Sequence, residues 1–367
     1  MVTCRLRDYR SKRKLCCIES DDWGAIRMPS LETLISLKKK GLKLYDDMGY
    51  DKYDTLASET DIELLLGVLS SVKDSIGRPA IMTINCIMTN PDFVRIKDSG
   101  FQDYYSESFT TTLKNTKGCE NSFSLWKEGI DSHLFKAQFH GREHLNVPLW
   151  MNLLRTENYE TVEAFKEGVY SMRLSSNPGG QQNVLTAYDV DCNDIYFSIQ
   201  SITEGLDIFE KVFGYKSESM IAPCYTWNKE IEKAGFNKGV KYIQGSYIQR
   251  YPHNAETQSV AYHYISEKNE FGQMYLTRNC MFEPSENPQQ GVSFCLSQVR
   301  KRFKCGVPAI ISSHRQNYIG GLNEVNRKNN LEGLKILLST IAEEFPDVEF
   351  VSSDELGSII NKNKANE

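Results

Sequence analysis

The stretch KLCCIESDDWG, residues 14–24, decides the fold, because an apolar run passes directly into an acidic pair. Its apolar half predicts a strand from Lys14 to Ser20 that is covered on both faces, as strands of parallel sheets are. Two later apolar runs also end directly in a polar residue, one at His140 and one at His314. Since the carboxyl ends of parallel strands meet at one edge of a sheet or barrel, we expect these polar side chains to share a site.

Strand-like and helix-like segments alternate along the whole sequence, and this alternation predicts an α/β fold with a parallel sheet. The number of strands favours a closed or nearly closed barrel. Residues 100–132 are aromatic and polar without a clear period, so they are interpreted as an insertion within a single domain spanning 1–367. The segments 260–265 and 273–277 are interpreted as a hairpin. The other predicted strands are 14–20, 80–88, 134–139, 219–222, 240–244, 308–313 and 348–351, and the predicted helices are 30–40, 61–75, 160–174, 194–213, 291–303, 331–345 and 353–360.

The composition is that of an ordinary globular protein and excludes some classes of partner. Of 367 residues, 40% are hydrophobic and 25% charged, with a formal net charge of −5. A slight acidic excess argues against nucleic acid as the main partner.

Targeting and membrane segments are not evident in the sequence. No window approaches the roughly 18 apolar residues of a membrane span. No apolar run of signal-peptide length follows the basic N-terminus, and this predicts a cytoplasmic location. The ten cysteines are scattered without a CxxC pair and are predicted to be reduced, mostly buried thiols.

Asp21 and Asp22 are candidates for two different roles. Adjacent side chains point to opposite sides of an extended strand, but in a loop one carboxylate could bind a metal while the other acts as a base. The alternative interpretation is an Asx turn or a cap for the helix that Ser30 begins.

His140 and His144 form an HxxxH pair directly after a predicted strand. This spacing places both imidazoles on one face of a helical turn, where one turn can offer two nitrogen ligands to zinc or a similar ion. Histidine is scarce, with six in the chain, so two at this spacing favour a metal site over two ordinary surface residues. Glu143 lies beside the second histidine, and the motif therefore differs from the HExxH of zinc proteases.

His314 follows a late strand, where an imidazole with an ordinary pKa of about 6.5 can serve as a general acid. Four further residues are candidates for substrate contact. Tyr225 and Trp227 could stack on a sugar ring, although packing is an equally good interpretation of them. Trp23 and Arg315 adjoin the acidic pair and His314.

An acidic pair, an HxxxH motif and a late strand-end histidine, in this order, resemble the polysaccharide deacetylase family of metal-dependent carbohydrate esterases. The resemblance covers residues 14–360 remotely and implies a distorted (β/α) barrel of about seven strands, with insertions. It implies that Asp21 is the catalytic base and His314 the general acid. It also implies that Asp22, His140 and His144 bind a divalent metal, which would be zinc, with cobalt, nickel or manganese as alternatives.

The sequence departs from the family pattern where the third motif normally begins with an arginine that orients the catalytic aspartate. Ala222 stands there, followed by Pro223. Arg315, Arg27 or Arg142 could supply the missing charge from elsewhere. The gap between the acidic pair and the HxxxH motif is also longer than is usual in the family.

The resemblance implies a hydrolase that removes an acetyl or other acyl group from a carbohydrate. One alternative is a glycoside hydrolase that uses Asp21 with Asp189 or Asp191, since such enzymes need two carboxylates flanking the bond. Another is a non-catalytic sugar- or metal-binding protein, for which Ala222 is the best support. The sequence leaves the sugar, the acyl group and the oligomeric state open.

Overall fold

The computed structural model describes residues 7–44, 49–171, 173–174, 183–190, 195–253 and 259–365. Its strands are β1 (Lys14–Trp23), β2 (Met82–Ile87), β3 (Thr89–Pro91), β4 (Ser106–Ser108), β5 (Phe135–Gly141), β6 (Ser219–Ile221), β7 (Tyr242–Gly245), β8 (Ile248–Arg250), β9 (Val260–Tyr262), β10 (Met274–Thr277), β11 (Cys280–Met281), β12 (Ala309–His314) and β13 (Val348–Phe350).

Helices alternate with these strands. They are α1 (Leu31–Lys39), α2 (Tyr50–Tyr53), α3 (Glu59–Ser71), α4 (Phe93–Asp98), α5 (Phe109–Lys114), α6 (Ser122–Asp131), α7 (Val147–Arg155), α8 (Tyr159–Lys166), α9 (Ile195–Phe213), α10 (Lys229–Asn237), α11 (Val292–Lys304), α12 (Glu324–Glu344) and α13 (Ser353–Ala365). Within the described residues, no helix is long and apolar enough to cross a membrane.

Nine parallel strands of the described chain form one curled sheet, in the order β10-β7-β6-β5-β2-β1-β12-β11, with β13 paired to the first half of β1. The two edge strands are consecutive in sequence, since only Arg278 and Asn279 separate β10 from β11. The backbone N–H of Arg278 donates to Gly245 of β7, and that of Asn279 donates to Ile310 of β12. These two residues bridge the gap between the edges, so the predicted α/β fold with a distorted (β/α) barrel is confirmed, with nine strands rather than about seven.

Local signals explain where the helices begin and end. The Ser30 side chain caps α1 as predicted, and Ser58 forms a capping box with Asp61 at the start of α3. The helix predicted over 160–174 is shorter, because α8 ends at Lys166 and Gly168 follows in the left-handed region at φ +72°.

The stretch predicted as an insertion is ordered and contributes to the core. It contains β4, α5 and α6, and Trp126 of α6 is buried. The Trp126 ring packs edge-to-face on Trp23 at 5.5 Å and stacks on Phe109 at 5.4 Å. These contacts tie residues 106–131 to the carboxyl end of β1. That this stretch is an insertion relative to the family stays a prediction.

Two expectations from the sequence are corrected. The segments 260–265 and 273–277 do not form the predicted hairpin, because β9 pairs antiparallel with β8 while β10 joins the main sheet beside β7. Seven cysteines have free thiols, as predicted, but Cys305 is disulfide-bonded.

Gly24 ends β1 in a conformation that other residues rarely adopt. Its φ is +91°, and a Cβ there would lie 2.5 Å from the Ile87 carbonyl oxygen. Glycine therefore lets the chain turn sharply against β2, immediately after the acidic pair.

Replacing Gly24 with alanine should destabilise the fold more than replacing Gly77, which has φ +81° but open space where a Cβ would lie. We expect Gly77→Ala to cost about 1–2 kcal/mol for the left-handed backbone alone. Gly24→Ala should cost about 1–3 kcal/mol more for the overlap with β2. Urea unfolding of both variants measures the difference, and equal losses would contradict a close approach at Gly24.

Candidate metal and catalytic site

A bulge in β1 brings two adjacent carboxylates to the same cavity. The register between β1 and β2 shifts between Ser20 and Trp23, and Asp22 has a φ of +72°. A residue in the left-handed region within a bulge points its side chain away from the regular alternation of the strand. Asp21 and Asp22 therefore both line the cavity, although neighbours on a regular strand would face opposite ways.

Asp22, His140 and His144 form a buried cluster of three potential metal ligands. The Nε2 atom of His140 lies 3.3 Å from Oδ1 of Asp22, and that of His144 lies 3.4 Å from the same oxygen. Oδ1 of Asp22 is buried and makes no hydrogen bond in the described part of the chain. The Nδ1 atom of His140 lies 2.9 Å from the Ile221 carbonyl oxygen, which leaves Nε2 to face the cluster. The three side chains fit a cation, and two nitrogens with one oxygen suit zinc, cobalt, nickel or manganese.

The HxxxH pair is not helical, and the predicted helical face is wrong. His140 is the penultimate residue of β5, at a register shift against β2, and His144 lies in the loop before α7. A Cβ on Gly141 would lie 2.9 Å from the Glu143 carbonyl oxygen, so glycine permits the tight bend. A strand end and a bent loop, rather than one helical turn, bring the two imidazoles together.

Burial and charge put these ligands into the forms that bind cations. Burial lowers the pKa of His144 to about 3, although the Asp22 carboxylate opposes this effect. For Asp22, burial raises the pKa, but Arg27 and three histidines, His144, His140 and His314, outweigh it and hold the pKa well below its usual range. At neutral pH the site therefore offers a carboxylate and a neutral imidazole from His144, as metal binding requires.

A chain of buried charges fixes the orientation of Asp22. Arg27 donates to Oδ2 of Asp22 at 3.0 Å, and its Nε lies 3.2 Å from Asp54. Arg315 donates twice to Asp54 and once to the Ala25 carbonyl oxygen. Because Oδ2 of Asp22 accepts a hydrogen bond from Arg27, Oδ1 is the oxygen that faces the two histidines.

Arg278 holds Asp21, and the sequence analysis missed this residue. Its Nη1 and Nη2 atoms donate to the two carboxylate oxygens of Asp21 at 2.6 and 2.7 Å, and its Nε donates to Glu19 at 2.7 Å. Asn85 donates to Asp21 as well. Burial raises the pKa of Asp21, but the Arg278 charge and hydrogen bonds lower it to about 2. Asp21 is therefore ionised at neutral pH and fixed by a bidentate pair.

None of the three arginines considered in place of Ala222 contacts Asp21 in the structure. Arg315 and Arg27 bind Asp54 and Asp22 instead, and Arg142 binds Glu143. Its position in the sequence could have indicated Arg278. It directly follows a short apolar strand, as the other polar clusters do.

His314 lies beside Asp21 because of strand register. The two residues are Cα partners on β12 and β1, and the Nε2 atom of His314 is 3.8 Å from Oδ2 of Asp21. Its Nδ1 atom lies 2.6 Å from Glu283, which Asn317 holds by donating to the other oxygen. Burial lowers the pKa of His314, but Glu283 and then the charges of Asp21 and Asp22 raise it to about 10. The imidazole is therefore protonated at neutral pH.

These groups line a cavity of about 320 Å³, together with Tyr225 and Tyr50. The expected substrate contacts of Trp23, Trp227 and Arg315 are corrected, because all three are at most 1% exposed and lie outside this lining. The Trp23 indole donates to Ser20, and the Trp227 indole donates to Glu232. Arg315 is committed to Asp54. Of the four candidates, Tyr225 remains at the cavity.

Asp189, one of the two expected partners of Asp21 in a glycoside hydrolase, lies outside the cavity that Asp21 lines. Both oxygens of Asp189 lie within hydrogen-bonding distance of His253, at 2.7 Å from its backbone N–H and 2.6 Å from its Nδ1. Asp189 is buried and outside the cavity lining. Asp191 lies outside the described residues.

No protein-family model matches the chain, and no curated protein matches its sequence. Similar solved structures include a proposed polysaccharide deacetylase of Mycobacterium smegmatis, at TM-score 0.47 and 10% identity, covering 97% of this chain and 93% of that chain. Puue allantoinase gives TM-score 0.45 and 8% identity, covering 95% and 91%. The 4-alpha-glucanotransferase of Thermococcus litoralis gives TM-score 0.46 and 8% identity, covering 94% of this chain but 40% of that chain. This chain thus spans less than half of the glucanotransferase.

The purified protein should hold about one equivalent of a transition metal per chain, since three protein ligands and open positions are typical of catalytic sites. His140→Ala should hold little, because it removes a nitrogen that faces Asp22. His253→Ala is the matched control, since this histidine pairs with Asp189 away from the cavity and its loss should leave the metal in place. Elemental analysis measures all three proteins. A parent protein that takes up no metal from excess zinc would rule out the site.

Proposed function

We propose that this protein is a metal-dependent hydrolase that removes an acyl group, acetyl in the first instance, from a carbohydrate. One observation carries the proposal: the Asp22–His140–His144 cluster, an ionised Asp21 and a protonated His314 line the same cavity. A metal-ligand set, a base and an acid side by side are the groups that hydrolysis of an amide or ester needs.

Asp22, His140 and His144 would hold the divalent cation. Such a cation supplies Lewis acidity, which lowers the pKa of water and stabilises negative charge on an acyl oxygen. Arg27 positions Asp22 and keeps it ionised, so that its free oxygen stays available to the cation.

Asp21 is the proposed base. It accepts a proton from the water whose oxygen attacks the acyl carbon, and a carboxylate can do so only while ionised. Arg278 keeps it ionised and holds both of its oxygens in place. Arg278 is thus a positioning residue. It takes the role of the family arginine, in whose place this chain has Ala222.

His314 is the proposed acid. As the bond to the acyl carbon breaks, its Nε2 proton moves to the departing amine or alcohol, and Glu283 stabilises the imidazolium beforehand. The products are a carboxylic acid and the deacylated sugar. The N–H of Tyr225 donates to the Ala222 carbonyl oxygen and is therefore not free to bind the acyl oxygen.

The carbohydrate part of the proposal rests on the resemblance of the ordered motifs and on the lining of the cavity. Tyr225 and Tyr50 provide aromatic surface next to charged groups, a combination that suits a ring with apolar faces and polar edges. The glycoside hydrolase alternative needs two carboxylates flanking the bond. Asp189 lies outside the cavity lining, whereas Glu283 and Glu286 lie in it together with Asp21, so this alternative stays open.

Asp21→Asn should retain the metal but lose acyl hydrolysis, because the amide cannot accept the proton. We expect kcat/KM to fall by about 10²–10⁴, the usual contribution of a general base. Acetate release from acetylated sugars and elemental analysis measure the two effects. Asp189→Asn is the matched control and should stay active. Cleavage of a glycosidic bond that survives a chelator and is lost in Asp189→Asn would instead support a glycoside hydrolase.

Glu283→Gln should shift the alkaline limb of the pH profile of kcat/KM to lower pH. His314 acts in its protonated form, so activity is present below its pKa and lost as the pH rises through it. Glu283 raises that pKa towards about 10 by charge and hydrogen bond, and removing the charge lowers it. Glu286→Gln removes a charge from the same cavity lining and serves as the control, with a smaller expected shift. An unchanged alkaline limb in Glu283→Gln would remove His314 from the acid role.

A further inference from the structure

A second cavity lies at the gap between the two edge strands of the sheet. We name it the seam cavity; it has a volume of about 510 Å³. It shares Tyr225, Met281 and Ser312 with the cavity that Asp21, Asp22 and His314 line, which we name the catalytic cavity, so the two adjoin along one wall. The bridging residues Arg278 and Asn279 lie in its lining. A molecule that occupies the catalytic cavity therefore has a neighbouring space for a further group.

Arg302 is a buried cation in the lining of the seam cavity. It lies in the last turn of α11, and only 4% of its surface is exposed. Its Nε donates to the Asn279 carbonyl oxygen at 3.3 Å, and its guanidinium contacts the thiol of Cys280. It makes no ion pair within the described residues, whereas the buried Arg27, Arg278 and Arg315 each bind carboxylates.

Burying an unpaired cation is unfavourable, so this arrangement calls for a compensating charge. The carbonyl groups at the end of α11 offset part of the cost, but within the described residues no carboxylate forms an ion pair with the guanidinium. Asp8 lies in the same lining and accepts from the Ile265 N–H; among the described residues it forms no ion pair with Arg302. The planar fork of an arginine matches a carboxylate, sulfate or phosphate group.

We infer that the seam cavity is an anion subsite, in which Arg302 binds a negatively charged group on the sugar next to the acylated one. The inference rests on the proposed function, because it takes the acylated sugar to lie in the catalytic cavity. Its substrate class is therefore an acylated saccharide that carries a carboxylate, sulfate or phosphate on a neighbouring unit. Gln298 and Ser246 add polar groups to the same lining.

The first test compares two N-acetylated disaccharides, one with a neutral second sugar and one with a uronic acid in that place. In Arg302→Gln, KM for the uronic acid substrate should rise about 10- to 100-fold, the loss expected for a hydrogen-bonded charge. Its kcat, and both constants for the neutral substrate, should stay near those of the parent. Equal effects on the two substrates would overturn the inference.

Arg300→Gln is the matched control, because Arg300 lies on the same helix but is exposed and pairs with Glu344. It should leave both substrates unaffected. Arg302→Lys keeps the charge without the fork and should give an intermediate KM. Since it preserves the cation, it also keeps the test open if Arg302→Gln folds poorly.

The second test needs no hydrolysis and uses sulfate as the probe. Titration by calorimetry should show sulfate binding to the parent and to His140→Ala, but not to Arg302→Gln. Absence of binding to the parent, or binding that Arg302→Gln retains, would overturn the anion subsite. If sulfate binds as expected while no acylated sugar is hydrolysed, the proposed function fails and the anion site stands. Sulfate binding without any discrimination in KM would overturn the substrate assignment.

Discussion

The ion pairs of Arg278 are the interaction on which the rest of the structure depends. This guanidinium lies beyond the end of an edge strand and binds two carboxylates of the central strand, Glu19 and Asp21, in a buried environment. Two carboxylates this close would repel each other and resist ionisation without a counter-charge. Burial does raise the pKa of Glu19 despite Arg278. Because Arg278 leads directly into the opposite edge strand, the same contacts draw the curled sheet towards closure and fix the proposed base.

A second constraint separates the roles of the two adjacent aspartates. Asp21 has both oxygens bound by Arg278, whereas Asp22 has one oxygen bound by Arg27 and one without a hydrogen bond in the described chain. The difference arises from the bulge, which turns Asp22 into the left-handed region and towards the histidines. Asp21 is thus paired with Arg278 and Asp22 with Arg27. This division suits the two proposed roles, in which Asp21 accepts a proton and Asp22 binds a cation.

Much of the fold could be predicted from the sequence, because strand–helix alternation and apolar runs are local patterns. The order of the polar clusters after strands also predicted which residues would share a cavity, and His314 and Asp21 are indeed register partners. The wrong predictions concern local conformation and side-chain burial, which depend on contacts with distant parts of the chain. The spacing of the two histidines predicts a helix, but strand pairing extends through His140 and the chain then bends. Trp23 and Trp227 adjoin the site in sequence, but apolar rings next to a site are as readily buried in packing as placed against a substrate.

The sequence by itself determined the α/β class, the strand ends that carry chemistry and the candidate groups for metal, base and acid. These follow from residue type and local order, which need no knowledge of distant neighbours. Only the tertiary structure decided which arginine holds Asp21, since Arg278 lies more than 250 residues away in the chain. It also decided that Glu283 holds His314 and that, among the described residues, Arg302 is left without a carboxylate. The physical reason is that charge pairing within a barrel depends on strand order and curl, which bring together residues that no local pattern connects.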